Sequence, residues 1–322
     1  MIENKNIFIT GGAGFIASHI IEKLIDNNRI TIYDNCERNA LKLCPFKDHE
    51  NLTFIRGNVL DTKVLKDAVE SSSATVFLHM AAIAGVKNVV DHPAKTFSVN
   101  LFGTYNILEA VKGKDIDILI DFSTSEVYGP DAENVDENSN TVQGPITEPR
   151  WSYAISKLSS ELLSFSYHKE FNIPVCSVRP FNVYGPRQVG GGAIRNFLIN
   201  SVKGDGLTIH GDGSAIRAWC YVSDFIEGIF AMIERKEAIG HIFNIGNPSA
   251  SVSTKELAEK IIKHSGSSSK IVFKDIDYPD VKNRVPVVDK ANKILGYTPK
   301  IDIDEGIRLS LEWFKDNVDK LD

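Results

Sequence analysis

Residues 10–17, TGGAGFIA, decide the fold. They lie between a β-rich apolar run, NIFIT (6–10), and a segment of helical periodicity that continues to about Asn27. Gly11 permits a tight turn, Gly14 lets the backbone approach a pyrophosphate, and Ala17 stands where a third small residue packs helix against strand. Phe15 and Ile16 open the helix, whose N-terminus offers unpaired N–H groups and the positive end of a dipole to phosphate. A glycine pattern alone can mark any strand-to-helix turn, so the context matters. The next strand, RITIYD (29–34), ends on Asp34, at the distance where an acidic residue holds a ribose hydroxyl. A carboxylate there repels a 2′-phosphate, so the expected cofactor is NAD rather than NADP. Asn35, next in the chain, is assigned to the same site.

On the C-terminal side of this motif, short β-rich runs alternate with helical periods. NLTFIRG (51–57) reads as a strand, DTKVLKDAVES (61–71) as a helix and ATVFLHMAA (74–82) as an apolar strand. A helix over 98–112 and a strand, DILIDFST (117–124), follow. Such alternation predicts an α/β chain with a doubly wound, Rossmann-type parallel sheet and a ligand crevice at the carboxyl ends of its strands. Asn58 and Val59, with Asp61, close the third strand and are placed to reach the adenine. Met80, Ala81 and Ala82 close the fourth, where small residues let the chain run beside a dinucleotide; His79 reads as a structural histidine. From 130 to 150 the chain is polar and rich in Pro and Gly, a loop of functional size. A helix over 152–171 and a strand ending RPF follow, and then the texture changes. This divides the chain into a dinucleotide domain, 1–178, and a smaller α/β substrate domain, 179–322. HIFNIG (241–246) is apolar enough to return to the first sheet, which leaves that boundary soft.

The bulk properties exclude several classes. The 322-residue length fits about two domains, and a net charge of −6 argues against a general nucleic-acid binder. Cys36, Cys44, Cys176 and Cys220 form no C-x-x-C and have no zinc-ligand spacing, which reads as reduced thiols and no metal site. The N-terminus runs straight into a strand, without a leader pattern, and no segment approaches the ~20 apolar residues of a membrane span. A cytoplasmic protein is expected.

Tyr153 and Lys157 stand four residues apart on a predicted helix, so both emerge on one face. A phenol with an ordinary pKa near 10 is a poor base at neutral pH. An ammonium one turn away and a positive nicotinamide ring favour the phenolate. It can then take a hydroxyl proton while hydride leaves the same carbon. Together with TGGAGFI, LHMAA, Asn100 in SVNLFGT, TSEVYG (124–129), YAISK (153–157) and RPFNVYGPR, this order of motifs resembles the extended short-chain dehydrogenase/reductases of the NAD-dependent epimerase/dehydratase type. The likeness runs almost from end to end. It implies a nucleotide-diphosphate sugar substrate oxidised at C4 by bound NAD, with Asn100 counted at the cofactor site. It also implies a homodimer built on helices 98–112 and 152–171. For the substrate it points to Asn182, Arg217 and Arg284, arginine being suited to paired phosphate oxygens. Arg179, Arg187 and Arg195 remain unassigned. Ala17 replaces the usual third glycine and Asn58 the usual aspartate.

Glu126 separates the possible reactions. The resemblance implies that Thr124 orients the C4 oxygen with Tyr153 and that Ser125 and Glu126 serve the second step. A 4-epimerase of this kind usually lacks the carboxylate. A 4,6-dehydratase requires a base at C5, which Glu126 can supply. Decarboxylases of UDP-glucuronate also look like Thr-Ser-Glu, because a C4 ketone lies β to the carboxylate and CO₂ then leaves readily. The segment 139–157 resembles the decarboxylase domain of the bacterial aminoarabinose pathway, and there Arg150 would either face a substrate carboxylate or clamp the loop. The leading expectation is therefore oxidative decarboxylation of a UDP-hexuronate. The 4,6-dehydratase, the 4-epimerase and a C4 dehydrogenase are the alternatives. A non-catalytic dinucleotide sensor would tolerate a broken Tyr/Lys pair, and here the pair is intact.

Overall fold

The computed structural model describes residues 2–276 and 281–321. The first strands are β1 (Asn6–Thr10), β2 (Arg29–Asp34), β3 (Leu52–Arg56), β4 (Val76–His79), β5 (Ile118–Phe122), β6 (Ala132–Val135) and β7 (Val175–Pro180). There follow β8 (Val183–Tyr184), β9 (Leu207–His210), β10 (Ile216–Ala218), β11 (Cys220–Tyr221), β12 (Ile242–Ile245), β13 (Ser251–Ser253), β14 (Ile271–Lys274) and β15 (Asn283–Pro286). The main sheet has seven strands in the order β12-β7-β5-β4-β1-β2-β3, and its pairings are parallel. The strand order reverses beside β1, and the crevice at that switch point is where a doubly wound sheet binds ligands. All five residues of β5, ILIDF, are buried, as expected of a parallel strand covered on both faces.

Of the first helices, α1 (Phe15–Leu24), α2 (Thr62–Ser72), α3 (Val86–Asp91), α4 (Pro93–Val111) and α5 (Ser152–Phe171), α3 packs on α4 and the others cover this sheet. Asp61 accepts a hydrogen bond from Val64 N and caps α2, so its carboxylate serves the helix start rather than the adenine. The helix foreseen over 98–112 starts earlier, because Pro93 fits a first helical turn that needs no N–H. One apolar core lies between the sheet and α2, α4 and α5, and a larger one runs from α1 into the second lobe.

Ile242–Ile245 pairs with β7 and extends the main sheet, while β6, from the polar 130–150 stretch, joins β13, β10 and β15 in a separate four-stranded sheet. Of the later helices α6 (Ala193–Lys203), α7 (Val222–Glu234), α8 (Thr254–Ser265), α9 (Asp289–Leu295) and α10 (Ile303–Asn317), α6, α8 and α10 pack on one another, whereas α7 packs on α1 and α9 on β12 of the main sheet. Among the described residues no helix is long and apolar enough to cross a membrane.

Candidate active site

A groove of about 360 Å³ runs along the carboxyl ends of β1, β2, β3 and β4. Gly11, Gly14, Phe15 and Ile16 form its floor; Asp34, Asn35, Asn58 and Val59 line one end. Met80, Ala81 and Ala82 form a wall, and Tyr153 and Lys157 close the other end. Gly11 has φ +72°, and a Cβ there would lie 2.7 Å from Ala81 N, so the turn excludes any side chain. The Asp34 carboxylate accepts from Ala13 N at 3.1 Å and Cys36 N at 2.6 Å, which fixes it at the end of β2. Burial nevertheless raises its pKa above the usual carboxylate value. Lys157 Nζ is buried at the far end and has no hydrogen-bond partner among the described residues. A glycine cradle too tight for side chains, a fixed acidic group and an orphaned ammonium are what a dinucleotide fits.

Two features depart from the sequence expectation. Asn100 stands behind the groove, bonding Ile83 N at 2.8 Å and Ser156 Oγ at 3.0 Å, so it acts as a strut between the wall and α5. Arg38, on a loop without any motif, lines the groove and donates to Ala84 O. Nothing in the local sequence separates it from a surface arginine.

At the Tyr153 end, Thr124 caps a short 3₁₀ turn, Ser125–Tyr128, by accepting from Glu126 N at 3.2 Å. Thr124 and Ser125 are buried where β5 gives way to this turn. Glu126 is no solvent-facing loop residue: Arg150 Nη1 meets Oε2 at 2.6 Å and Arg284 Nη1 meets Oε1 at 3.5 Å. Burial alone would raise its pKa, but Arg284 and Arg150 outweigh it and hold the carboxyl below the usual range. Arg284, foreseen as a phosphate ligand, thus reaches the Thr-Ser-Glu turn. Arg217, its register neighbour on β10, donates to the carbonyls of Val281 at 2.6 Å and Lys282 at 3.1 Å, and its charge is also felt by Glu126. Asn182, at φ +40°, donates to Ala218 O at 2.9 Å.

The Tyr153 phenol differs from the expectation of a lysine-tuned base. Burial and the negative Glu126 push it up to about 12, against the Thr124 hydroxyl, Arg284 and Arg38. Burial lowers the Lys157 pKa, while Asp121 and Glu161 raise it. The lysine charge is therefore balanced below the groove, and the protein's own groups leave the tyrosine protonated. Of the unassigned arginines, Arg179 pairs with Glu161 and Arg187 with Glu22, while Arg195 donates to Gln188 O.

A Rossmann groove that ends on a Tyr–Lys helix and a Thr-Ser-Glu turn defines an NAD-dependent enzyme of the extended short-chain dehydrogenase/reductase class acting on nucleotide sugars. Residues 7–246 match the model of the NAD dependent epimerase/dehydratase family, and the chain belongs to that family. It is 36% identical over 327 residues to a UDP-N-acetyl-alpha-D-glucosaminuronate decarboxylase of Bacillus cytotoxicus, covering 97% of this chain and 98% of that one. It is 33% identical to UDP-glucuronic acid decarboxylase 3 of Arabidopsis thaliana, over 97% of this chain and 90% of the relative. Among solved structures, the UDP-glucuronic acid 4-epimerase of Bacillus cereus, in complex with UDP-glucuronic acid and NAD, superposes with a TM-score of 0.86 at 31% identity. That match covers 96% of this chain and 99% of the epimerase.

Proposed function

We propose that this enzyme decarboxylates a UDP-hexuronate through its 4-keto form. The observation that carries the reading is the clamp on Glu126. A carboxylate held ionised by Arg150 and Arg284 is a weak proton acceptor, which argues against the C5 base of a 4,6-dehydratase. For decarboxylation the clamp is useful. Negative charge must leave the substrate carboxylate and develop on the C4 oxygen, so the starting carboxylate should not be over-stabilised. Glu126 offsets the guanidinium charge there, whereas Tyr153 and Thr124 stand together where the C4 oxygen would lie.

In this reading the glycine turn, Asp34 and Lys157 would hold NAD, which would supply hydride transfer at C4 and, through its positive nicotinamide ring, the charge that the protein alone lacks for ionising Tyr153. Tyr153 takes the C4 hydroxyl proton, and the ketone that results lies β to the carboxylate. Loss of CO₂ leaves an enolate, which is protonated at C5. The names of the two decarboxylase relatives support this outcome.

A second reading, 4-epimerisation of the same uronate, is favoured by the likeness to the UDP-glucuronic acid 4-epimerase. Turnover in deuterium oxide separates the two. Decarboxylation places one deuterium at C5 of a pentose product, and epimerisation returns a hexuronate with no label at carbon. An unlabelled hexuronate would overturn the first reading.

We further propose a homodimer through α4 and α5, which pack on one another. Phe102, Tyr105, Leu162 and Phe171 are exposed on these two helices, with Leu162 at 69%. Apolar side chains grouped in this way are suited to a second copy of the same pair.

A further inference from the structure

Below the groove a polar row crosses the main sheet. Thr10, His79, Asp121 and Ser177 are in register on β1, β4, β5 and β7. Asp121 lies two residues beyond Leu119, so both side chains leave β5 on the same face. Leu119 belongs to the core that also holds Ile107 of α4 and Tyr167 of α5, which puts Asp121 on the face these helices cover. On α5, Lys157 and Glu161 are one turn apart and both are buried.

Most of this layer is already committed. His79 bonds Thr10 Oγ1 at 2.8 Å and Thr104 Oγ1 at 3.1 Å, and burial, with Lys157, lowers its pKa to about 3, so it is neutral. Glu161 accepts from Arg179 Nε at 3.0 Å. On the opposite face of β7, burial pushes the Cys176 thiol up, so it too is neutral. Ser177 donates to the Asp121 carbonyl at 3.2 Å and reaches the carboxylate only at 3.5 Å. Two complementary groups remain: Asp121 Oδ1 and Lys157 Nζ are buried without a hydrogen-bond partner among the described residues. A carboxylate in the middle of a parallel sheet is costly to bury and has no packing advantage over the apolar residues around it.

We infer that Asp121 is a positioning residue that acts through Lys157: its carboxylate supplies, from below the groove, the countercharge that keeps Lys157 an ammonium facing the cofactor. The inference rests on the reading of Tyr153 and Lys157 given above. Burial raises the Asp121 pKa to about 6 against the pull of Lys157, so the carboxylate is ionised at neutral pH. Its removal deprives Lys157 of one of the two charges that oppose desolvation.

The test is the pH dependence of kcat for Asp121→Asn, which keeps the shape and removes the charge. Lys157 then loses its proton at lower pH, and the alkaline limb moves to the acid side. Relative to wild type, kcat at about pH 9 should fall roughly tenfold, with less than about a threefold change at pH 7. Asp121→Glu should restore the limb at least in part, which a purely structural role would not do. An unmoved alkaline limb in a folded Asp121→Asn enzyme overturns the inference. So does an equal loss in both variants. Tyr153→Phe, run in parallel, keeps the two readings apart: if it stays active the assignment of the base fails, whereas an inactive Tyr153→Phe beside an unmoved limb condemns Asp121 alone.

Discussion

Glu126 shows how one residue type acquires its role from partners far away in sequence. Its two arginines lie 24 and 158 residues along the chain. Glu126→Gln should leave the guanidinium charge uncompensated, so the substrate carboxylate binds more tightly and leaves less readily. Steady-state kinetics should show kcat reduced on the order of a hundredfold with KM unchanged or lower; a raised KM with normal kcat would contradict this. The same substitution removes a negative charge that raises the Tyr153 pKa, so the acid limb of the pH profile should move to lower pH. Tyr153→Phe should cost about 10²–10⁴-fold in kcat while bound NAD survives gel filtration. The unusual carboxylate in TSEVYG was legible in the sequence. That Arg284 reaches it was not, because the position of a β15 side chain over a 3₁₀ turn is set by the second lobe.

At the scale of elements, α5 and the Thr-Ser-Glu turn are tied together by a buried chain. Glu161 of α5 pairs with Arg179 of β7, whose Nη1 donates to Tyr128 Oη at 2.8 Å, and Tyr128 donates to Asn244 Oδ1 at 2.8 Å. Arg179→Ala leaves Glu161 buried without its partner and should cost about 3–5 kcal/mol in urea unfolding. A loss below about 1 kcal/mol would show that the chain does not hold these elements. The parallel strands and α5 were legible because their signals are local: apolar runs, glycine turns and helical spacing. Arg179 was not, since a cation's partner across three elements leaves no local trace. Asp61 was misread for a similar reason: the same carboxylate suits an adenine or a helix cap, and only the start of α2 decides.

For the whole molecule, two histidines set an acid limit. Burial, with nearby cations, lowers the pKa of His19 to about 4 and that of His79 to about 3. Below about pH 6.5 the unfolded chain takes up protons at both sites while the folded chain does not. Stability is therefore present above that pH and lost as pH falls toward 4, by roughly 1.4 kcal/mol per unit for each histidine. Asp121 works in the opposite sense below about 6, where the folded form holds the extra proton. His79→Asn should flatten the pH dependence of the urea midpoint by one proton, and an unchanged slope would refute the assignment. Leu162→Glu should convert a dimer to a monomer in analytical ultracentrifugation; a dimer that persists would move the interface away from α5. The reaction itself is tested by the mass of the product formed from UDP-glucuronate or UDP-N-acetylglucosaminuronate with NAD. A product lighter by one CO₂ is the predicted result; a product of unchanged mass that migrates differently would contradict it and make the enzyme an epimerase.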